Sequence, residues 1–75
     1  MTRQEQALAK RIGRVLRAYR ADLQISQAEL AKKAKIGQPH LCALEHGKSL
    51  PSLPVVRRLG KYLGFTPDEI FRNWA

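Results

Sequence analysis

No uninterrupted apolar run in this 75-residue chain is long enough to cross a bilayer. A helical membrane span is thereby excluded, and one small domain with a single modest core is expected. Residues 1–16, MTRQEQALAKRIGRVL, interleave charge with apolar side chains, so no secretory leader is expected and the cytoplasm is the default compartment. Cysteine is almost missing. Cys42 stands alone, no internal disulfide can support the core, and stability must come from helix packing and any partner subunit. Cys42 and two histidines make a poor metal site: His40 and Cys42 are two apart on a helix and face different ways, and His46 lies near its end. There is no phosphate loop and no nucleophile paired with a base, so neither a cofactor nor an enzymatic activity is expected. Repeats, low-complexity tracts and long linkers are absent as well.

Acids are scarce: 14 lysines and arginines face 6 acids, a formal net charge of +8. Such an excess repels itself in a folded monomer and is relieved when a polyanion neutralises it. Nucleic acid, an anionic membrane surface and an acidic protein are the candidate partners. The plain alternative is an inert, solvated basic surface.

Five short helices fit the pattern. From Gln4 to Asp22, apolar residues at Leu8, Ile12, Val15, Leu16 and Tyr19 follow a helical period, with Lys10, Arg14 and Arg17 on another face. A membrane-surface helix would carry bulkier apolar anchors and need no partner helices, so no membrane partner is expected. Ser26 and Glu29 form a capping box that opens a second helix, Gln27 to Ala34, with Leu30, Ala31 and Ala34 inward. Its alanines let another helix cross closely. After a turn of about three residues a third helix starts near Gln38, with Pro39 tolerated in its first turn, Leu41 and Leu44 inward, and Gly47 at its end. Ser52 caps a fourth helix through Leu63, with Leu53, Val56, Leu59, Tyr62 and Leu63 as core candidates. Thr66, Pro67 and Glu69 open a fifth that carries Ile70, Phe71 and Trp74. The fold class is therefore all-α, and residues 1–75 read as a single domain.

The segment ISQAELAKKAKIGQPHLCALEHGK resembles the helix-turn-helix core of the Cro and phage-repressor family, also called the xenobiotic-response-element type. The likeness runs from Ile12 to about Leu63. It is carried by Arg20, by SQAELA at Ser26 to Ala31, by the LxxLExGK pattern from Leu41 to Lys48, and by Pro51 and Ser52. The resemblance implies a five-helix domain whose second and third helices read DNA, with dimers on an approximate palindrome. It also implies an ion pair between Arg20 and Glu45, tying the first helix to the third. The chemistry agrees, because an acid near a helix C-terminus opposes the dipole and calls for an opposite charge. Two independent solvated residues are the duller alternative.

By the same resemblance, Gln27 reaches a DNA phosphate and can brace the recognition helix, while Gln38 aligns with a first-turn glutamine suited to bidentate pairing with adenine. Two departures thin the readout. Pro39 stands where relatives often carry a polar reader, and Ala43 offers only a methyl group. Gln38 and His40 remain the polar base-reading candidates, and Lys35 replaces a common turn glycine. Phosphate contacts are expected from a pool that includes Gln27, Lys35, Lys48, Arg17 and Lys32, with DNA deformability carrying much of the selection.

The expected function is a sequence-specific double-stranded-DNA-binding transcriptional regulator, a homodimer acting on a palindromic operator in the cytoplasm at the nucleoid. A small repressor, a restriction-modification controller protein and an antitoxin-like regulator all fit this size, with the controller slightly favoured. The alternative is an antitoxin-like or adaptor protein whose main role is binding another protein. The C-terminal helix is expected to dimerise through Phe71 and Trp74, aided by apolar surface from Val55 and Leu59, with Phe65 and Ile70 facing inward.

Overall fold

The computed structural model describes residues 1–72. Five helices are present among them: α1 (Arg3–Leu23), α2 (Gln27–Ala34), α3 (Gln38–Glu45), α4 (Leu53–Leu63) and α5 (Pro67–Phe71). Trp74, expected at the dimer surface, lies outside the described residues.

Four of the five helices, α3 being the exception, begin at a side chain that accepts from a free backbone N–H group. Thr2 and Glu5 form a reciprocal capping box that starts α1 one residue before the apolar pattern suggests. Thr66 and Glu69 do the same for α5, and Ser52 accepts from Val55 N–H at the start of α4. The box expected at α2 is only half made. Ser26 Oγ accepts from Glu29 N–H at 3.0 Å, but Glu29 Oε2 accepts instead from the Tyr62 hydroxyl at 3.5 Å. Tyr62 on α4 thus draws this carboxylate away from its own helix start.

The core is one cluster built from Ile12, Leu16, Leu30, Leu41, Leu44, Val56, Leu59 and their neighbours. Ala31 and Ala34 are buried within it, and Tyr19 packs its ring 5.2 Å from that of Phe65. Two apolar assignments on α4 are corrected. Leu53, expected inside, is 47% exposed, whereas Val55 and Leu59, expected to supply docking surface, are 6% and 0% exposed. The reason is the phase of the helix: with Val56, Leu59 and Leu63 inward, Val55 flanks the buried stripe and Leu53, in the first turn, falls outside it. Phe71 is half-buried and packs against the core, and Phe65 and Ile70 are buried.

The element that matters most for the site is the crossing of α1 over α3. A Cβ added at Gly13 would lie 2.5 Å from the Glu45 carbonyl oxygen and 2.7 Å from that of Leu44. Only glycine lets the two backbones approach this closely. Just beyond α3, Gly47 adopts a φ of +70° while the chain passes against Lys10.

Lys35 ends α2 in a left-handed conformation, φ 59° and ψ 46°, while Ile36 N–H bonds back to Ala31 carbonyl at 3.0 Å. The turn therefore keeps the geometry that glycine usually supplies, with a lysine forced into it. A left-handed L-residue costs about 1–2 kcal/mol, against about 0.5–1 kcal/mol of extra chain entropy that a glycine loses on folding. Lys35→Gly is thus expected to stabilise the domain by roughly 0.5–1 kcal/mol, a melting-point rise of a few degrees. An unchanged or lower melting temperature in calorimetry would contradict this reading of the turn.

Candidate nucleic-acid interface

The outer face of α3 is set by what its inner face must do. Leu41 and Leu44 are fully buried, which turns Gln38, Pro39 and His40 to solvent and leaves Ala43 half-buried. Pro39 removes no needed hydrogen bond in the first turn, and Gly37 caps the helix without a side chain. Nothing in α3's own sequence holds its start in place. Its neighbours do so instead.

Glu45, the last residue of α3, is 2% exposed. Arg20 meets it as a fork, Nε to Oε2 at 2.8 Å and Nη2 to Oε1 at 3.0 Å. Its remaining terminal nitrogen, Nη1, donates to the Ile25 carbonyl at 3.1 Å, so one guanidinium joins α1, α3 and the chain entering α2. The hydrogen bond to Glu45 holds the Arg20 guanidinium above its ordinary pKa, with burial opposing it.

Gln27 makes the third contact to this carboxylate, Nε2 to Glu45 Oε1 at 3.1 Å. Its carbonyl oxygen accepts a long 3.5 Å hydrogen bond from Gln38 Nε2. A continuous polar line thus runs from Ile25 through Arg20, Glu45 and Gln27 to Gln38 at the surface. Both ends of the Gln27 amide are engaged inside the protein. Ser26 Oγ takes the Glu29 N–H at this end of α2, and the first-turn N–H groups before it, with the helix dipole, favour an anion.

Two separate groups of cations line clefts. Lys10, Arg14 and Arg17 of α1 line a cleft of about 230 Å³ with Glu45 and His46, at the C-terminal end of α3. Lys48, exposed in the following loop, has its backbone N–H on the Ala43 carbonyl at 2.9 Å. Lys35 belongs elsewhere: it lines a second cleft with Lys33, Arg58, Lys61 and Tyr62, between α2 and α4. Lys32 is exposed on α2 and lines neither cleft. His46 sits with Nδ1 2.8 Å from the Cys42 carbonyl and 3.5 Å from Cys42 Sγ. Among the described residues no three histidine, cysteine or acidic side chains gather as a metal site.

Sequence reasoning missed three of these features. The double engagement of Gln27 carries no local signal, because glutamine is an ordinary helix former. Arg58 Nε donates to the Ala34 carbonyl at 2.9 Å, a contact 24 residues apart that no periodicity announces. Gly13 did leave a signal: a glycine in the middle of an amphipathic helix, unfavourable unless something must come close.

This arrangement, two short helices joined by a tight turn with the second presented outward, defines a helix-turn-helix protein. The family model described as "Helix-turn-helix domain" matches residues 11–71, and the chain belongs to that family. The chain is 36% identical over 56 residues to an uncharacterized HTH-type transcriptional regulator, MJ0272 of Methanocaldococcus jannaschii, covering 75% of this chain and 85% of the relative. It is also 36% identical over 58 residues to another such regulator, YqaF of Bacillus subtilis, covering 77% and 76%. Among solved structures, the clp gene regulator ClgR from C. glutamicum superposes with a TM-score of 0.79 at 25% identity, covering 89% of this chain and 86% of that one.

Proposed function

We propose that the chain is a sequence-specific, double-stranded-DNA-binding transcriptional regulator of the Cro and phage-repressor type, acting at the nucleoid as a homodimer on a palindromic operator. The observation that carries this reading is the hydrogen-bonded line that ends on exposed Gln38, because it links a side chain suited to base reading, through a long contact to Gln27, to the Arg20–Glu45 pair. The relatives named as transcriptional regulators and the net charge of +8 support the same reading.

Gln38 pairs with an adenine edge, His40 reaches a base or its phosphate, and Ala43 meets a thymine methyl group. The N-terminus of α2 at Gln27 receives a phosphate, and Lys48, Arg17, Lys32 and Lys35 supply the surrounding field. With so few readers in one α3, selectivity requires a second copy at a fixed half-site spacing. The face containing half-buried Phe71 is the proposed meeting surface. Val55 and Leu59 belong to the core and drop out of it.

The test is selection of genomic fragments by the purified protein, followed by titration of the selected duplex at several salt concentrations. The affinity is expected to fall steeply with salt. Gln38→Ala should weaken the selected site by about tenfold or more and relax preference at one base pair. Lys48→Gln should weaken all sequences alike and reduce the salt slope by about one. A nearly salt-independent constant would reject the account. No sequence preference, together with a stoichiometric unrelated protein purified from native cells, would make the fold a protein-binding module instead. Sedimentation tests the dimer: Phe71→Ala or Trp74→Ala should weaken association without loss of helicity, and a wild type monomeric at high micromolar concentration removes it.

A further inference from the structure

The cleft between α2 and α4 shares one residue, Lys35, with the proposed DNA contacts, and its other lining residues have no part in the reading of α3. It has a volume of about 370 Å³ and is lined by Lys33, Lys35, Arg58, Lys61 and Tyr62. Lys33 lies about two-thirds of a turn round α2 from Gln27, so the cleft and the Gln27–Gln38 contact occupy different flanks of that helix. We propose that this cleft is a binding site for phosphate groups, of the kind carried by a small polyphosphate such as pyrophosphate or a nucleoside triphosphate.

Three features support the assignment. Arg58 is held in place by its Nε on the Ala34 carbonyl at 2.9 Å, which leaves the two terminal amino groups of its guanidinium as a fork for an anion's oxygens. Lys33 stands over the Tyr62 ring, its ammonium 6.0 Å from the centroid, at the outer reach of a cation–π contact that biases this exposed cation toward the cleft wall. Among the described residues no carboxylate lines the cleft, and Glu29 reaches only the hydroxyl of its wall residue Tyr62, at 3.5 Å. Lys33, Lys35, Arg58 and Lys61 repel one another there, and a ligand with two or more negative charges turns that repulsion into attraction. The volume fits a small polyanion and falls at the lower end of the range of ordinary ligand sites.

Phosphate groups could come from a free ligand or from a DNA strand that wraps this flank, and one experiment separates the two. Pyrophosphate is titrated calorimetrically into the full chain near 0.15 M salt, with wild type, Arg58→Gln, Lys61→Gln and Arg14→Gln. Arg14 lies in the other basic cleft and is the control. One equivalent is expected to bind wild type and Arg14→Gln alike, with affinity about tenfold lower in Arg58→Gln and severalfold lower in Lys61→Gln. The same variants are titrated with duplex DNA at several salt concentrations. An unchanged DNA salt slope assigns the site to a free polyphosphate. A slope reduced by about one in both Arg58→Gln and Lys61→Gln, with pyrophosphate displaced by DNA, assigns it to backbone phosphate. Equal pyrophosphate binding by all four proteins, or none by any together with unchanged DNA slopes, overturns the site. Lys61 is exposed on α4 and its side chain makes no hydrogen bond or ion pair among the described residues, so its variant keeps the test valid if Arg58→Gln unfolds. Because the pyrophosphate arm needs no operator, it can fail or succeed independently of DNA reading by α3.

Discussion

Arg20→Ala is expected to remove about 3–5 kcal/mol of stability, since it strands a buried carboxylate. A domain of this length holds only about 4–11 kcal/mol in total, so the variant should melt at least about 12 °C lower and sit partly unfolded at physiological temperature. The two partners are not equivalent. Glu45 has a side chain 1% exposed and, without Arg20, keeps only the Gln27 amide. Arg20 is 24% exposed and, without Glu45, can turn its guanidinium to water while its stem stays packed. Glu45→Ala should therefore cost less, about 2–3 kcal/mol. The double variant should lose clearly less than the sum of the two, and strictly additive losses in denaturant unfolding would sink the coupling. By contrast, the exposed Arg72–Asp68 pair on α5, also at 2.8 Å, is too solvated to move the melting point measurably.

The second large effect runs against helix propensity. Gly13→Ala in the middle of α1 would ordinarily gain about 1 kcal/mol. Here the new methyl group would meet the carbonyl oxygens of Glu45 and Leu44 at 2.5 and 2.7 Å, and neither can rotate away because both are backbone. Overpacking typically costs about 1–3 kcal/mol, and a contact onto unyielding backbone belongs at the top of that range, so a net loss of roughly 2 kcal/mol is expected. The displacement matters as much as the energy. Moving α3 away from α1 pulls Glu45 from Arg20 and loosens Gln27 behind Gln38, so affinity for a selected duplex should fall further than that of Gln38→Ala. A Gly13→Ala protein more stable than wild type, with unchanged affinity, would remove the close crossing from the account.

Most of the helices are legible because they carry their own punctuation: Ser26, Ser52 and Thr66 at the starts of α2, α4 and α5, apolar residues at helical spacing, and Gly47 past the end of α3. The phase of α4 is not, since LPVV offers three apolar residues around one proline and the sequence cannot say which turns inward. That ambiguity put Leu53 in the core and Val55 on the surface, the reverse of what packing requires. The Arg20–Glu45 pairing came with the family resemblance and had independent chemical sense, because an acid at a helix C-terminus needs a cation. By resemblance, Gln27 is a phosphate contact that can also brace α3. Its hold on Glu45 could not be seen, because it depends on where three separate helices meet. The basic residues were easy to count and impossible to sort. Only the fold divides them between the α1 flank of α3 and the cleft beside α4.

The uncapped start of α3 has a consequence for how such a chain can change. Eight residues with no side-chain cap would not persist as a helix in isolation. Their conformation is imposed from behind by Leu41, Leu44 and Glu45 and by the turn from α2. The exposed positions 39 and 40 therefore carry almost none of the folding free energy, and even Pro39 is tolerated there. The outer face can be rewritten residue by residue while the scaffold stays as it is, so a new target preference can arise by substitution alone, without a compensating change in the core.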